Sequence, residues 1–201
     1  ELDLTRISVE KMESYKGKPE LHTVPDGRVY YFAFNRSNPV LKNIKIRQAL
    51  SLAIDRKQLV DSVLNGVGLP ASGVVALGNA GEKGDFRKEA GDLFAQFSNT
   101  TPKQLFDEGL KELNITPAQV KLKLTVDEKG TGKKEAEFYQ AQWKEKLGID
   151  VEVEVLTTKE RIARAKAGEF DIVRYGWGPD YADPMTYLEI FHSKAKDINF
   201  A

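Results

Sequence analysis

The sequence predicts an α/β domain, on three observations. From Val120 onward, short runs alternate apolar with polar residues and then give way to stripes of helical period, in the order strand, helix, strand, helix, strand. The crossovers are long enough for each strand to return parallel to the last. With 41% hydrophobic residues over 201 positions, the chain can also close one core of ordinary domain size without staples.

Taken in order, the elements have local reasons. A short helix is expected around Val9 to Tyr15, and "RVYYFAFN" (Arg28 to Asn35), rich in aromatics between "PDG" and "SNP", reads as a buried strand. Ile46, Ala49, Leu50, Ala53 and Ile54 recur at helical spacing, and Val60, Val63 and Leu64 resume the stripe after Lys57. Two consecutive helices follow from this, with Asp55 capping the second and Gly66 ending it. Thr101, Pro102 and Gln104 start a helix through Leu105, Leu110 and Leu113 as N-cap, first helical residue and capping-box partner. "VKLKLTV" (Val120 to Val126) and "IDVEVEVL" (Ile149 to Leu156) alternate as strands covered on one face. Between them Ala136, Tyr139, Trp143 and Leu147 form a helical stripe ended by Gly148. Thr157 and Glu160 make another capping box, a helix runs to Gly168, and "FDIVRYGW" (Phe170 to Trp177) is the last strand.

Residues 66–90 are expected to be a long loop. Its glycines invite a phosphate cradle, but such a loop leaves a strand and opens a helix, whereas "GVGLPASGVVALGNAGEKGD" leaves a helix and leads into more loop. A surface excursion at a ligand rim is the plainer reading.

Composition excludes several classes. Lys+Arg 30 against Asp+Glu 30 gives no basic footprint for nucleic acid, and the lack of cysteine removes thiolate catalysis, zinc-thiolate sites and disulfides. No apolar run approaches the roughly 20 residues of a membrane span. The start at Glu1, without Met, suggests a processed protein or a piece cut from a longer one, and the second is the expectation here.

The informative stretch is "RYGWGPDYADPMTYLEIF" (Arg174 to Phe191), at the carboxyl end of a strand, where open parallel sheets hold their ligands. Asp183 precedes Pro184 and is explained as the N-cap of a helix. Asp180 lacks that explanation. It is either a turn acid bonded to nearby backbone, or an anion presented beside the Trp177 ring, a pairing that suits an ammonium.

These residues, together with "YYFAFNRSNPVLKNIKIRQALSLAIDRKQLVDSVLNGVGLPASG", resemble the extracellular solute-binding proteins of family 5, which serve oligopeptide and dipeptide ABC importers, in their Gram-positive form. The resemblance runs from about Tyr30 to His192. It implies one lobe of a type II periplasmic-binding-protein fold, a mixed sheet with helices packed on it, with the whole of 1–201 belonging to that lobe. It further implies an extracellular lipoprotein (periplasmic in a Gram-negative organism), without catalysis or cofactor. Its partners would be a peptide and the permease subunits, and its membrane contact would come only through a lipid anchor outside these residues. By the same resemblance Asp180 receives the peptide amino terminus, Gly178 lines the extended peptide with its backbone, and Trp177 forms part of a side-chain pocket. Arg174 falls where some members meet the carboxylate of short peptides, although an Arg near a strand end is also a common ion-pair partner. Arg47 is expected to tie helix to loop, and His22 and His192 to be surface residues.

Two other readings compete. Asp180 and Asp183 could be an acid/base pair of a hydrolase, but Asp183 already has a capping role and no nucleophile constellation accompanies it. The same fold could carry a metal chelate or an oligosaccharide, but neither offers the obligatory ammonium that Asp180 would meet.

Overall fold

The computed structural model describes residues 4–195 and 197–200. A 3-10 turn at Val9–Lys11 continues into α1 (Met12–Tyr15), and the chain then enters β1 (Val29–Phe34). Next come α2 (Pro39–Lys42), α3 (Ile44–Leu52) and α4 (Arg56–Gln58), the last running on as a π-helical turn over Leu59–Val63. α5 (Phe86–Ala90) and α6 (Pro102–Leu113) lead to β2 (Leu122–Asp127), α7 (Gly132–Leu147), β3 (Val151–Leu156), α8 (Thr158–Ala167), β4 (Ile172–Trp177) and α9 (Met185–Leu188).

Capping chemistry sets most of these boundaries. Asn38 and Asn43 each accept two backbone N–H bonds, so a short α2, not expected from the sequence, precedes α3, which is the first of the two expected helices. The Asp55 carboxylate accepts the Gln58 N–H at 2.9 Å and starts α4. Both expected capping boxes close, Thr101 with Gln104 and Thr157 with Glu160, and Gly148 and Gly168 end their helices in the left-handed conformation.

The four strands lie in the order β1-β4-β2-β3. β2 runs parallel to both β3 and β4, so the carboxyl-half rhythm gives the expected parallel unit, and β1 joins antiparallel to β4, which makes the sheet mixed. β1 was expected to be buried; it is instead an edge strand, and Tyr30 is 53% exposed.

Both faces of the sheet are covered. The main core gathers Leu41, Ile46 and Leu50, Phe106 of α6, Leu124, and Trp143 and Leu147 of α7, with Ile172 of β4 among them. The Trp143 indole N–H donates to the Leu50 carbonyl at 2.8 Å, tying α7 to α3. Because side chains alternate along a strand, the next residue, Val173, belongs to a smaller cluster with Ala33, Ala165 of α8 and Phe170. Arg47 donates to the Leu41 and Lys42 carbonyls at 2.7 and 2.9 Å; its role is structural as expected, but it fastens α3 to the end of α2 instead of to a loop.

The segment after Gly66 differs from a plain surface excursion. Its last five residues form α5, and Val75 is buried with Val29 and Tyr187 in a third cluster, where Val74, Ala76, Phe86 and Trp177 pack around them. Its glycine-rich turn is internally satisfied: Glu82 N–H and Lys83 N–H donate to the Glu89 carboxylate at 3.0 and 2.8 Å. The amides that could have cradled an external anion therefore hold an internal one.

Candidate functional site

β4 projects beyond its neighbour. Thr125 stands opposite Val173, which brings the last residue of β2, Asp127, level with Tyr175, so that Gly176 and Trp177 extend past it. β1 accompanies the projection to its tip, Val29 facing Trp177.

The turn that follows is pinned from two sides. Asp180 N–H donates to the buried Thr186 hydroxyl at 2.9 Å, and Thr186 N–H donates to the Asp183 carbonyl at 3.1 Å. Tyr187 donates its hydroxyl to the Gly27 carbonyl at 2.7 Å. Gly27 has φ 73, and a Cβ there would fall 2.9 Å from Pro179 Cγ, so both conformation and space require glycine where the chain enters β1.

The two aspartates separate by role. Asp183 Oδ1 accepts the Met185 N–H at 2.7 Å and caps the first turn of α9 one residue ahead of its regular part. The Asp180 carboxylate is exposed and accepts no hydrogen bond from any described residue, so the turn-acid geometry allowed by the sequence is not formed. Nearby, Tyr181 donates to Glu189 at 2.9 Å.

Trp177 and Gly178 present different surfaces. The Trp177 ring leans on the Val29, Val75 and Tyr187 cluster, with its indole N–H buried and lacking an acceptor among the described residues. Gly176 and Gly178 clear the other face of the strand, and side chains of β1 lie across the space. The Tyr30 ring comes within 2.7 Å of where a Gly176 Cβ would be, and the Arg28 guanidinium within 3.1 Å of a Gly178 Cβ. Arg28 was not singled out from sequence, because only the β1–β4 register brings it to this turn.

Arg174 lies one step further in and is engaged. Its Nε and Nη2 each donate at 2.7 Å to the Glu135 carboxylate of α7, a bidentate pair with side chains 12% and 2% exposed. The Tyr30 ring covers the guanidinium at 4.2 Å, and Glu135 also accepts from Tyr139 at 2.9 Å and from the Thr131 hydroxyl. Burial would depress Arg174, but the Glu135 carboxylate, joined by Tyr139 and Tyr30, outweighs it and raises Arg174 above its ordinary value. Burial first, and then Glu135, raise the Tyr139 phenol. Arg174 Nη1 takes no part in the pair with Glu135. Arg161 of α8 braces the opposite face, donating to the Arg174 carbonyl at 3.1 Å and standing 3.6 Å from the Asp127 carboxylate. No pattern of residues marks Glu135 as buried, beyond its place four residues before Tyr139.

Comparison with known proteins gives these features a setting. Residues 1–199 match the family described as bacterial extracellular solute-binding proteins, family 5 middle. The oligopeptide-binding protein OppA of Bacillus subtilis is 30% identical over 96% of this chain and 35% of its own length. The dipeptide-binding protein of Lactococcus lactis is 32% identical over 94% of this chain and 36% of its own. Among solved structures, OppA of Listeria monocytogenes bound to peptide superposes with a TM-score of 0.84 at 29% identity, covering 96% of this chain and 39% of that one. The chain thus spans little more than a third of the length of these relatives.

Proposed function

Since the chain belongs to the family 5 bacterial extracellular solute-binding proteins, we propose that it serves within the substrate-binding component of an ABC importer, capturing oligopeptides outside the cell with the ligand's amino terminus paired to Asp180. The observation that carries this reading is the contrast at the turn. Asp183 is consumed by capping, whereas Asp180, three residues away, keeps an exposed carboxylate with no protein partner among the described residues. An ammonium is the complementary chemistry, and a peptide supplies one. Relatives named for oligopeptide and dipeptide binding support the cargo class.

In this reading the Gly178 backbone lines the extended peptide, Trp177 walls a side-chain pocket, and Arg174 chiefly holds β4 in place while offering Nη1 to a ligand carboxylate. The partners are a permease and, through a lipid anchor, the outer face of the membrane. Among the described residues no helix is long and apolar enough to cross a membrane. No step of catalysis is assigned to any residue.

The test is titration calorimetry on the full-length protein with peptides and their N-acetylated forms. Asp180→Asn should cost on the order of 2 to 5 kcal/mol of binding to free peptides. Asp183→Asn should leave affinity nearly unchanged, because Asn caps almost as well as Asp. Equal binding of acetylated and free peptides by the wild type would remove Asp180 from the site.

A further inference from the structure

The ladder of side chains on the cleared face of β4 ends in a charged group that no other described residue engages. From the inside outward it runs Glu135, Arg174, the Tyr30 ring over Gly176, and Arg28 over Gly178. The inner guanidinium is neutralised and stacked. The outer one is exposed and makes no ion pair or side-chain hydrogen bond with any described residue, although its backbone N–H donates to Asp26 at 3.0 Å. Its Nη2, Cζ and Nε stand 3.1, 3.5 and 3.9 Å from the position of a Gly178 Cβ, so the guanidinium lies over the backbone of the residue two before Asp180. The missing side chain at 178 makes this approach possible.

We propose that Arg28 is a specificity-determining residue that recognises a carboxylate on the bound peptide close to its amino-terminal end. The inference rests on the peptide reading above. If the ligand backbone runs along Gly178 while its ammonium meets Asp180, a side chain from one of its first residues projects beside Arg28. The planar fork of a guanidinium matches a carboxylate with two parallel hydrogen bonds, and it repels the ammonium of a lysine at the same place. Asp180 and Arg28 then set two different properties. The carboxylate of Asp180 reads an ammonium that every free peptide carries, whereas Arg28 reads a group that only some carry. The same guanidinium could also meet the terminal carboxylate of a dipeptide, and amidation separates the two sources.

The experiment uses the full-length protein and tetraalanine peptides with Glu, Gln or Lys at the first, second or third position, each as free acid and as C-terminal amide, together with dialanine and its amide. At one of these positions the wild type should favour Glu over Lys by about fivefold to tenfold at low salt, less at high salt, with Gln between. Amidation should leave that ratio unchanged; a loss of affinity on amidating dialanine that Arg28→Gln abolishes, seen without any Glu-over-Lys ratio, would assign Arg28 to the terminal carboxylate and overturn the side-chain reading. Arg28→Gln should bring the ratio near one, and Arg28→Glu should invert it, an inversion that a merely structural role for an exposed side chain would not produce. Arg28→Lys should keep the sign with a smaller ratio. Binding with no Glu-over-Lys preference, or with one that Arg28→Glu does not change, would overturn this inference and leave the Asp180 reading standing. Failure of every peptide to bind would remove both.

Discussion

Replacing Glu135 by Gln tests how the strand under the site is held. The carboxylate is 2% exposed and forms two 2.7 Å bonds with a guanidinium that is itself 12% exposed, so the substitution keeps the shape and leaves Arg174 as a buried charge without its counter-ion. Breaking one partner of such a pair costs about 3 to 5 kcal/mol. For a chain of this size that corresponds to a fall in Tm of roughly 6 to 20 °C. Thermal unfolding followed by circular dichroism reads the loss. The decisive comparison is the double variant Glu135→Gln with Arg174→Met, which removes both charges and should regain most of the lost stability, since apolar replacement of a buried pair is often near neutral. A single variant that loses less than about 1 kcal/mol, or a double variant no better than the single, would refute the view that uncompensated charge is the penalty.

Three further perturbations bear on the same end of the sheet and on the loop beside it. Gly27→Ala should destabilise by about 1 to 3 kcal/mol in chemical denaturation, because φ 73 and the 2.9 Å approach of Pro179 both exclude a Cβ. Glu89→Ala should free the Glu82 and Lys83 amides and speed tryptic cleavage after Lys83, while lowering global stability by no more than about 1 kcal/mol. Asp127 is partly desolvated, which raises its pKa, but the Thr158 hydroxyl, the Lys129 N–H and Arg161 outweigh that and hold the carboxyl below its ordinary value. A depressed folded-state pKa contributes stability that is present above the unfolded value, about 4, and is lost as pH falls through the folded one. Asp127→Asn should therefore flatten the acid limb of the stability profile below about pH 4 and change its shape little near neutrality.

Local chemistry was legible in the sequence and pairing was not. The capping boxes at Thr101 and Thr157, the Asp55 cap and the glycine stops at 148 and 168 follow from side chains acting within four residues of themselves. The parallel unit followed from alternation and crossover length. The place of β1 did not, since a run such as "VYYFAF" carries the same pattern whether it lies in the middle of a sheet or antiparallel at its edge. That pairing also hid Arg28, whose nearness to Gly178 depends on which residue of β1 faces which residue of β4. The loop of 66–85 looked featureless because its order comes from contacts at a distance, Val75 against Val29 and Tyr187.

The turn itself is located by subtraction. Along the carboxyl end of the sheet, Asp127 stands against Arg161, Glu135 against Arg174, Asp183 against the Met185 amide, and Glu189 against the Tyr181 hydroxyl. Each of these charges stabilises the fold through a partner the chain supplies, and leaving any of them unmatched would cost free energy in proportion to its burial. Asp180 and Arg28 depart from that pattern at one place, one beyond Gly178 and one over it, and both are exposed enough for water to solvate them when no ligand is bound. Opposite charges near one turn would ordinarily find each other if the backbone allowed it. Here Thr186 holds the Asp180 backbone and Tyr187 holds the Gly27 carbonyl next to Arg28, so neutral side chains set the backbone from which the two charges project. A carboxylate and a guanidinium left unpaired at one turn are, under the peptide reading proposed above, complementary to an ammonium and a carboxylate on one ligand, a match that a salt bridge between them would remove.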